Sequence, residues 1–389
     1  MHTKADSSTR AATTDSDVAD TAALTTSEVG PVPQKMADQA AMFANRLVKR
    51  DKHLRKWARR VDVDAYRVYD RDIPEIPLIV ERYGTYLAGS LFERPYEKDE
   101  AEEDAWLDAM IDAASGALDV PRENIFIKRR RRQRGLAQYE KMDQAGVTTT
   151  VREHGTLFTV NLSDWLDTGL FLDHRETRAR VRAEAAGKRI LNLFSYTGSF
   201  SVQAALGGAR EVDSLDLSNT WLDIARENFR LNGLETIRLD AREYAEERGP
   251  AARSKNGSAA GFENPATAPL NRLIRGDALR FMAHAREDGL LWDTIILDPP
   301  SFSNSSGMDG TLDVRRDAVP LLEAALALLE PGGPGTAPGV LWFSTNVKRF
   351  TFPLEAFPGY RIEDLSRATL DPDVEAKTPR RVWRICRRD

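Results

Sequence analysis

The stretch ILNLFSYTGSFSVQAALGGA, residues 190–209, decides the fold. A short apolar strand ends at Phe194, a turn of small residues follows, and a helix begins near Ser199. Gly198 in that turn can take a positive φ and lets a ligand approach the backbone closely. The first turn of the new helix offers N–H groups with no partner inside the helix. The stretch reads as a dinucleotide-type cradle, although it lacks the full GxGxxG set and an ordinary strand–helix turn is the alternative.

Outward from it the same rhythm repeats. EVDSLDL (211–217) precedes TWLDIARENFRLNG (220–233), RLIRGD (272–277) precedes ALRFMAHARE, and WDTIILD (292–298) precedes DVRRDAVPLLEAALALLE (313–330). GVLWFST (339–345), IEDLSRA (362–368) and RRVWRIC (380–386) close the chain. Strand–helix alternation of this kind predicts an α/β fold with a doubly wound, mostly parallel, seven-stranded Rossmann-like sheet. Upstream, residues 42–155 read as a smaller N-terminal α/β domain. It holds a basic helix, strands AYRVYD (65–70) and LIVERYG (78–84), and a helix over 101–118. Residues 1–40, rich in Ser, Thr, Ala and Asp, read as a disordered tail. The Ala-, Gly-, Ser- and Pro-rich segment 246–271 reads as a flexible surface insertion in the second domain, 156–389.

Composition narrows the function classes. The single cysteine, Cys386, excludes intramolecular disulfides and leaves no Cys-rich zinc site, and no metal is expected. No apolar run reaches membrane-spanning length and the N-terminus lacks a signal-peptide core, which favours a cytoplasmic protein. The net charge of −5 is unevenly spread: residues 46–60 carry eight Lys and Arg against one acid, and KRRRRQR (128–134) six basic side chains in seven. Two such runs in one region suit a polyanion-binding surface, though a solvated helix face also explains the first.

Four consecutive strand ends carry Gly198, Asp216, Asp277 and Asp298. Asp216, at the end of the strand after the cradle, suits hydrogen bonding to ribose hydroxyls, while DLSN also caps the following helix. Asp277 is placed to touch an adenine amino group. Asp298 opens DPPSFSNS, where Pro299 and Pro300 have no N–H for a sheet ladder and force the chain out of the sheet.

NLFSYTGSFSV, LDLSNTWLDIARENFRLNGL, IRGDALRF and DPPSFSNS resemble the motifs of class I S-adenosylmethionine-dependent methyltransferases. FANRLVKRDKHLRKWAR, YRVYDRDIPEI, KRRRRQRGLAQY, VNLSDWLDTGLFLDHR, DVRRDAVPLL and FSTNVKRF extend the likeness, in order, to the RlmI/RlmK-like rRNA methyltransferases. Within that family the likeness is to the half that methylates guanine N7 of 23S rRNA. The resemblance covers roughly 42–389 and departs in the tail, the insertion and the missing RlmL half. It implies a cofactor site of Asn192, Phe194, Tyr196, Thr197, Gly198, Asp216, Ser218, Asp277 and Asp298. Asp173 and Arg175 would lie near the methionine end, or would serve as cap and salt bridge of a helix over 173–186. It further implies S-adenosylmethionine as cofactor and 23S rRNA, or a large-subunit precursor, as partner. Asp298, Pro299, Pro300 and Phe302 would form the catalytic lip, with Phe302 stacking on the base. Lys128, Arg129, Arg130, Arg131 and Arg132 would meet RNA, as would Lys348 and Arg349 unless they are plain surface charges. Guanine N7 needs no general base, whereas cytosine C5 needs an attacking cysteine, which LWFSTNVKRF lacks. The alternatives are methylation of another RNA base, such as the guanine amino group or cytosine C5, and a silent RNA-binding or assembly factor.

Overall fold

The computed structural model describes residues 33–93, 99–130, 146–248, 270–303, 311–333, 335–374 and 380–388. The chain enters through α1 (Gln34–Arg60), which buries Met36, Phe43, Leu47, Leu54 and Trp57 along one face. Residues 34–40, read from composition as tail, are therefore helical, because Met36 has a core to join. Strands β1 (Ala65–Asp70), β2 (Leu78–Tyr83) and β3 (Tyr86–Phe92) pair antiparallel. After α2 (Glu100–Leu118), β4 (Ile125–Arg130) pairs parallel to β3 and completes a four-stranded sheet. Asp99 caps α2 by accepting from the amides of Ala101 and Glu102. Phe43 and Leu47 of α1 share one core with Trp106 and Met110 of α2, so both helices pack on this sheet.

β5 (Thr148–Glu153) and β6 (Thr156–Asn161) form a separate hairpin. Then follow α3 (Arg175–Ala183), β7 (Arg189–Leu193), α4 (Ser199–Leu206), β8 (Glu211–Asp216), α5 (Asn219–Leu231), β9 (Ile237–Asp240) and α6 (Ala241–Arg248). β10 (Leu270–Arg275), α7 (Ala278–Glu287) and β11 (Thr294–Leu297) continue the alternation. A short pair, β12 (Phe302–Ser303) and β13 (Leu312–Asp313), leads to α8 (Val314–Leu326), β14 (Val340–Thr345), β15 (Tyr360–Asp364) and β16 (Arg381–Arg387).

The large sheet has eight strands in the order β15-β16-β14-β11-β7-β8-β10-β9, one more than the seven expected. The addition is β9, a four-residue edge strand whose sequence IRLD is half exposed and offers no apolar run. Only β16 runs against its neighbours. Alternate residues feed opposite cores: Leu191, Leu193, Ile295 and Leu297 pack with α7 and α8, and Ile190, Val212 and Ile296 pack with α4 and α5. A parallel sheet covered on both faces needs this two-sided apolar content.

The chain begins this sheet in the middle, at β7, moves outward through β8, and returns to β11 on the other side of β7. The order reverses there, and ligands of open α/β sheets bind at that reversal, beyond the carboxyl strand ends. Residues 249–269, most of the expected insertion, lie outside the described residues, as do Arg131 and Arg132. Among the described residues no helix is long and apolar enough to cross a membrane, and no group of His, Cys, Asp or Glu could hold a metal ion.

Candidate active site

Register brings the key residues together. Leu193 pairs with Leu297 on one side and Leu215 on the other, so Phe194 emerges between Asp298 and Asp216. All three line one cavity of about 960 Å³, with Asn192, Tyr196, Ser218, Asp277, Asp173 and residues 299–303. The turn after β7 is unusual: Phe194, Tyr196 and Gly198 have φ of 56°, 52° and 71°. Left-handed backbone costs a non-glycine residue about 1–2 kcal/mol. Specific bonds compensate, since Ser195 N donates to Leu215 O at 2.9 Å and Tyr196 N to Asp216 Oδ2 at 2.9 Å.

Asp216 accepts a second backbone bond, from Ser218 N to Oδ1 at 2.9 Å. Burial nevertheless raises its pKa to about 6, outweighing these donors. A carboxylate has about four acceptor positions, so two remain for outside donors. That under-donated carboxylate fits the vicinal hydroxyls of a ribose. Ser218 and Asp277 cap α5 and α7 by accepting from Trp221 N and Arg280 N, and both also face the cavity. Capping and ligand contact are compatible for each.

Three expected cofactor residues lie behind the cavity wall. Thr197 is buried, its hydroxyl donating to Gly169 O at 2.6 Å and its carbonyl accepting from Asn228 at 2.8 Å. Gly198 is absent from the lining, and a Cβ there would come within 2.9 Å of Ala225 Cβ. Its smallness lets α5 approach the turn. Arg175 is fully buried in an ion-pair cluster with Asp371 and Asp373, at 2.8 and 2.9 Å, and donates to Ala65 O. It ties α3 to β1 and the 371–373 segment, the salt-bridge alternative rather than a place at the cavity.

Around Asp298 the sequence revealed less. Ser344 Oγ donates to its Oδ1 at 2.7 Å, His174 Nε2 lies 3.2 Å from Oδ2, and Arg380 lies 3.4 Å from Oδ1 while also pairing with Asp173 at 3.2 Å. Burial opposes ionisation of both acids, yet His174 and then Arg380, with Ser344, keep Asp298 well below the ordinary range, and Arg380 with His174 and Arg67 keeps Asp173 at about 2. Pro299, Pro300 and Ser301 follow as a lip, with Phe302 half exposed. A row of rings also lines the cavity: Phe171–Tyr196 at 5.6 Å, Tyr196–Trp221 at 4.6 Å and Trp221–Trp165 at 5.2 Å. Single aromatic residues scattered over three segments carry no local pattern, so sequence reasoning missed this row, along with His174 and Arg380.

The basic residues separate. Lys128 and Arg130, on β4, line the cavity. Lys128 donates to Trp165 O, and burial lowers its pKa to about 8. Arg130 pairs with Asp167 at 2.6 Å. Arg129 points elsewhere, to Asp104 and Glu103. Lys348 and Arg349 are exposed and outside the lining, two residues beyond Asn346, which belongs to it.

A family model described as S-adenosylmethionine-dependent methyltransferase matches residues 78–246. A protein of Neisseria meningitidis serogroup B, named ribosomal RNA large subunit methyltransferase K, is 40% identical over 343 residues, 88% of this chain and 86% of its own. A Pseudomonas aeruginosa protein named ribosomal RNA large subunit methyltransferase K/L is 40% identical over 355 residues, and the match spans 43% of that longer protein. A solved structure of a Streptococcus mutans protein assigned by its name, without proof, to the S-adenosylmethionine-dependent methyltransferases has a TM-score of 0.62 at 23% identity, covering 89% of this chain and 81% of its own, which speaks to the fold.

Proposed function

The chain belongs to the ribosomal RNA large subunit methyltransferase K family, S-adenosylmethionine-dependent methyltransferases, and from that membership we propose that it methylates N7 of a guanine in 23S rRNA. The observation that carries this reading is one cavity in which the Asp216 edge and the 299–302 lip meet without a thiol. Cys386 is buried in β16 opposite Val340 and Arg361 and does not line the cavity, so attack on cytosine C5 has no nucleophile there.

S-adenosylmethionine supplies an already activated methyl group, so the protein's work is alignment. Asp216 would receive the ribose hydroxyls, the Phe171–Trp165 row would offer apolar faces, and Phe302 would stack on the incoming base. Guanine N7 attacks with its own lone pair, and no proton has to be removed. As the N7–methyl bond forms, the methyl–sulfur bond would break with its electron pair left on sulfur, so the positive charge passes to the ring, and ionised Asp298 at the base of the lip favours that charge. Lys128 and Arg130 extend the cavity towards the four-stranded sheet, which in this reading forms with α1 an RNA-docking domain. Substrate, division of labour and a cytoplasmic setting go together in this proposal.

Nucleoside mass spectrometry of large-subunit rRNA tests it. Deletion of the gene should remove one 7-methylguanosine and nothing else. Loss of a different methylated nucleoside would replace the acceptor, and no loss would favour an assembly factor.

A further inference from the structure

The lip lacks the usual backbone support. Pro299 and Pro300 have no N–H to give, so the turn between β11 and β12 receives no backbone donation from these two residues and leans on the side chains around Asp298. Its described anchors include the pairing of Phe302 and Ser303 with β13, the Ser301 hydroxyl on Asn346, Ser301 O accepting from Val314 N at 3.2 Å, and the Asp298 carboxylate beside Ser344, His174 and Arg380. Those three come from β14, the turn before α3, and the start of β16. Arg380 lies over the Phe171 ring at 5.1 Å and reaches Asp173 as well, joining the segment before α3 to the lip.

We infer that His174 and Arg380 are positioning residues for methyl transfer, clamping the Asp298 carboxylate so that the proline lip is set against the acceptor base. The inference rests on the reading that the lip faces that base. Burial and the neighbouring Arg380 push the His174 imidazole below its ordinary pKa, while the Asp298 carboxylate pulls the other way. The nitrogen facing Oδ2 is Nε2, at 3.2 Å, and neither ring nitrogen completes a hydrogen bond among the described residues, so Nε2 meets the carboxylate as a close polar contact. The clamp is thus the Arg380 guanidinium, the Ser344 hydroxyl and the facing His174 Nε2 around one carboxylate. Such a group need not touch cofactor or base to matter, because misplacing a reacting partner by about 1 Å costs roughly a hundredfold in rate.

Glutamine can present an N–H near the place of Nε2, whereas phenylalanine fills the space and cannot. His174→Gln should therefore keep the single-turnover rate of methyl transfer within about threefold of wild type at saturating RNA and cofactor. His174→Phe should lower it roughly ten- to a hundredfold, with cofactor affinity by calorimetry within about threefold. Arg380→Lys keeps the charge and loses the fork, and should fall between them. Hydrogen exchange across residues 294–303 reads the clamp without any substrate. It should speed up in His174→Phe and match wild type in His174→Gln. Equal rates in Phe and Gln variants, or a loss residing wholly in cofactor affinity, would overturn the inference. If wild type methylates no rRNA while the exchange pattern holds, the acceptor reading fails and the clamp stands. If exchange is unchanged in His174→Phe, the clamp fails whatever the substrate.

Discussion

Asp216 shows how one side chain is tuned by place. Two backbone amides donate to it, yet burial raises its pKa from 3.8 to about 6. The folded state therefore binds a proton more readily than the unfolded chain between these values. Stability of the cofactor-free protein should fall as pH rises from about 4 to about 6, by about 2–3 kcal/mol from this group. Cofactor affinity should run the opposite way, because hydroxyls donate to the ionised form: steady above pH 7 and weaker below about 6. Asp216→Asn turns one acceptor into a donor facing a backbone N–H and should weaken cofactor binding by about one to two orders of magnitude. Calorimetric titrations at pH 5, 6 and 7.5, with melting curves of the empty protein, check both signs. Affinity independent of pH would contradict the ribose assignment.

Among the elements, β4 carries the sharpest conflict, Lys128. Its ammonium is almost fully buried beside Trp165 O, and burial brings its pKa from 10.5 down to about 8. A cation whose folded pKa is depressed opposes folding below that value, and stability rises with pH between about 8 and 10.5. Lys128→Met should thus stabilise the protein at pH 7 by about 1–2 kcal/mol in melting curves while weakening RNA binding in the same preparation. A stabilised variant with intact RNA binding would make Lys128 a structural residue. The β4 strand also marks what the sequence let one read. Apolar runs ending in Asp216, Asp277 and Asp298 announce central strands and their carboxyl edge, since parallel strands buried on both faces must be apolar throughout. IFIKRR and IRLD are half-exposed strands, and their charges hide them. Gly198 was legible as a turn residue with positive φ, but its neighbour Ala225 was not, because that contact depends on how α5 packs. Likewise Arg380 meets Asp173 across 207 positions of sequence, a pairing no local pattern encodes.

At the scale of the molecule, a net charge of −5 coexists with an exposed basic face on α1, where Lys49, Lys52, Lys56, Arg59 and Arg60 project outward. This chain spans less than half the length of its K/L relatives, so RNA docking in this reading depends on its own surfaces. Replacing Lys49, Lys52, Lys56 and Arg59 with serine should reduce the slope of log affinity against log salt by about 3, leaving cofactor affinity unchanged. An unchanged slope would mark α1 as a solvated face. The central claim, transfer of a methyl group to guanine N7, has a direct chemical test. N7-methylated guanine is cationic, and borohydride reduction followed by aniline cleaves the RNA at that position, which a methylated amino group or cytosine C5 does not permit. Purified protein, S-adenosylmethionine and unmodified 23S rRNA, alone or in precursor particles, should give cleavage at a single guanine. Incorporated methyl label with no aniline-sensitive site would contradict the account.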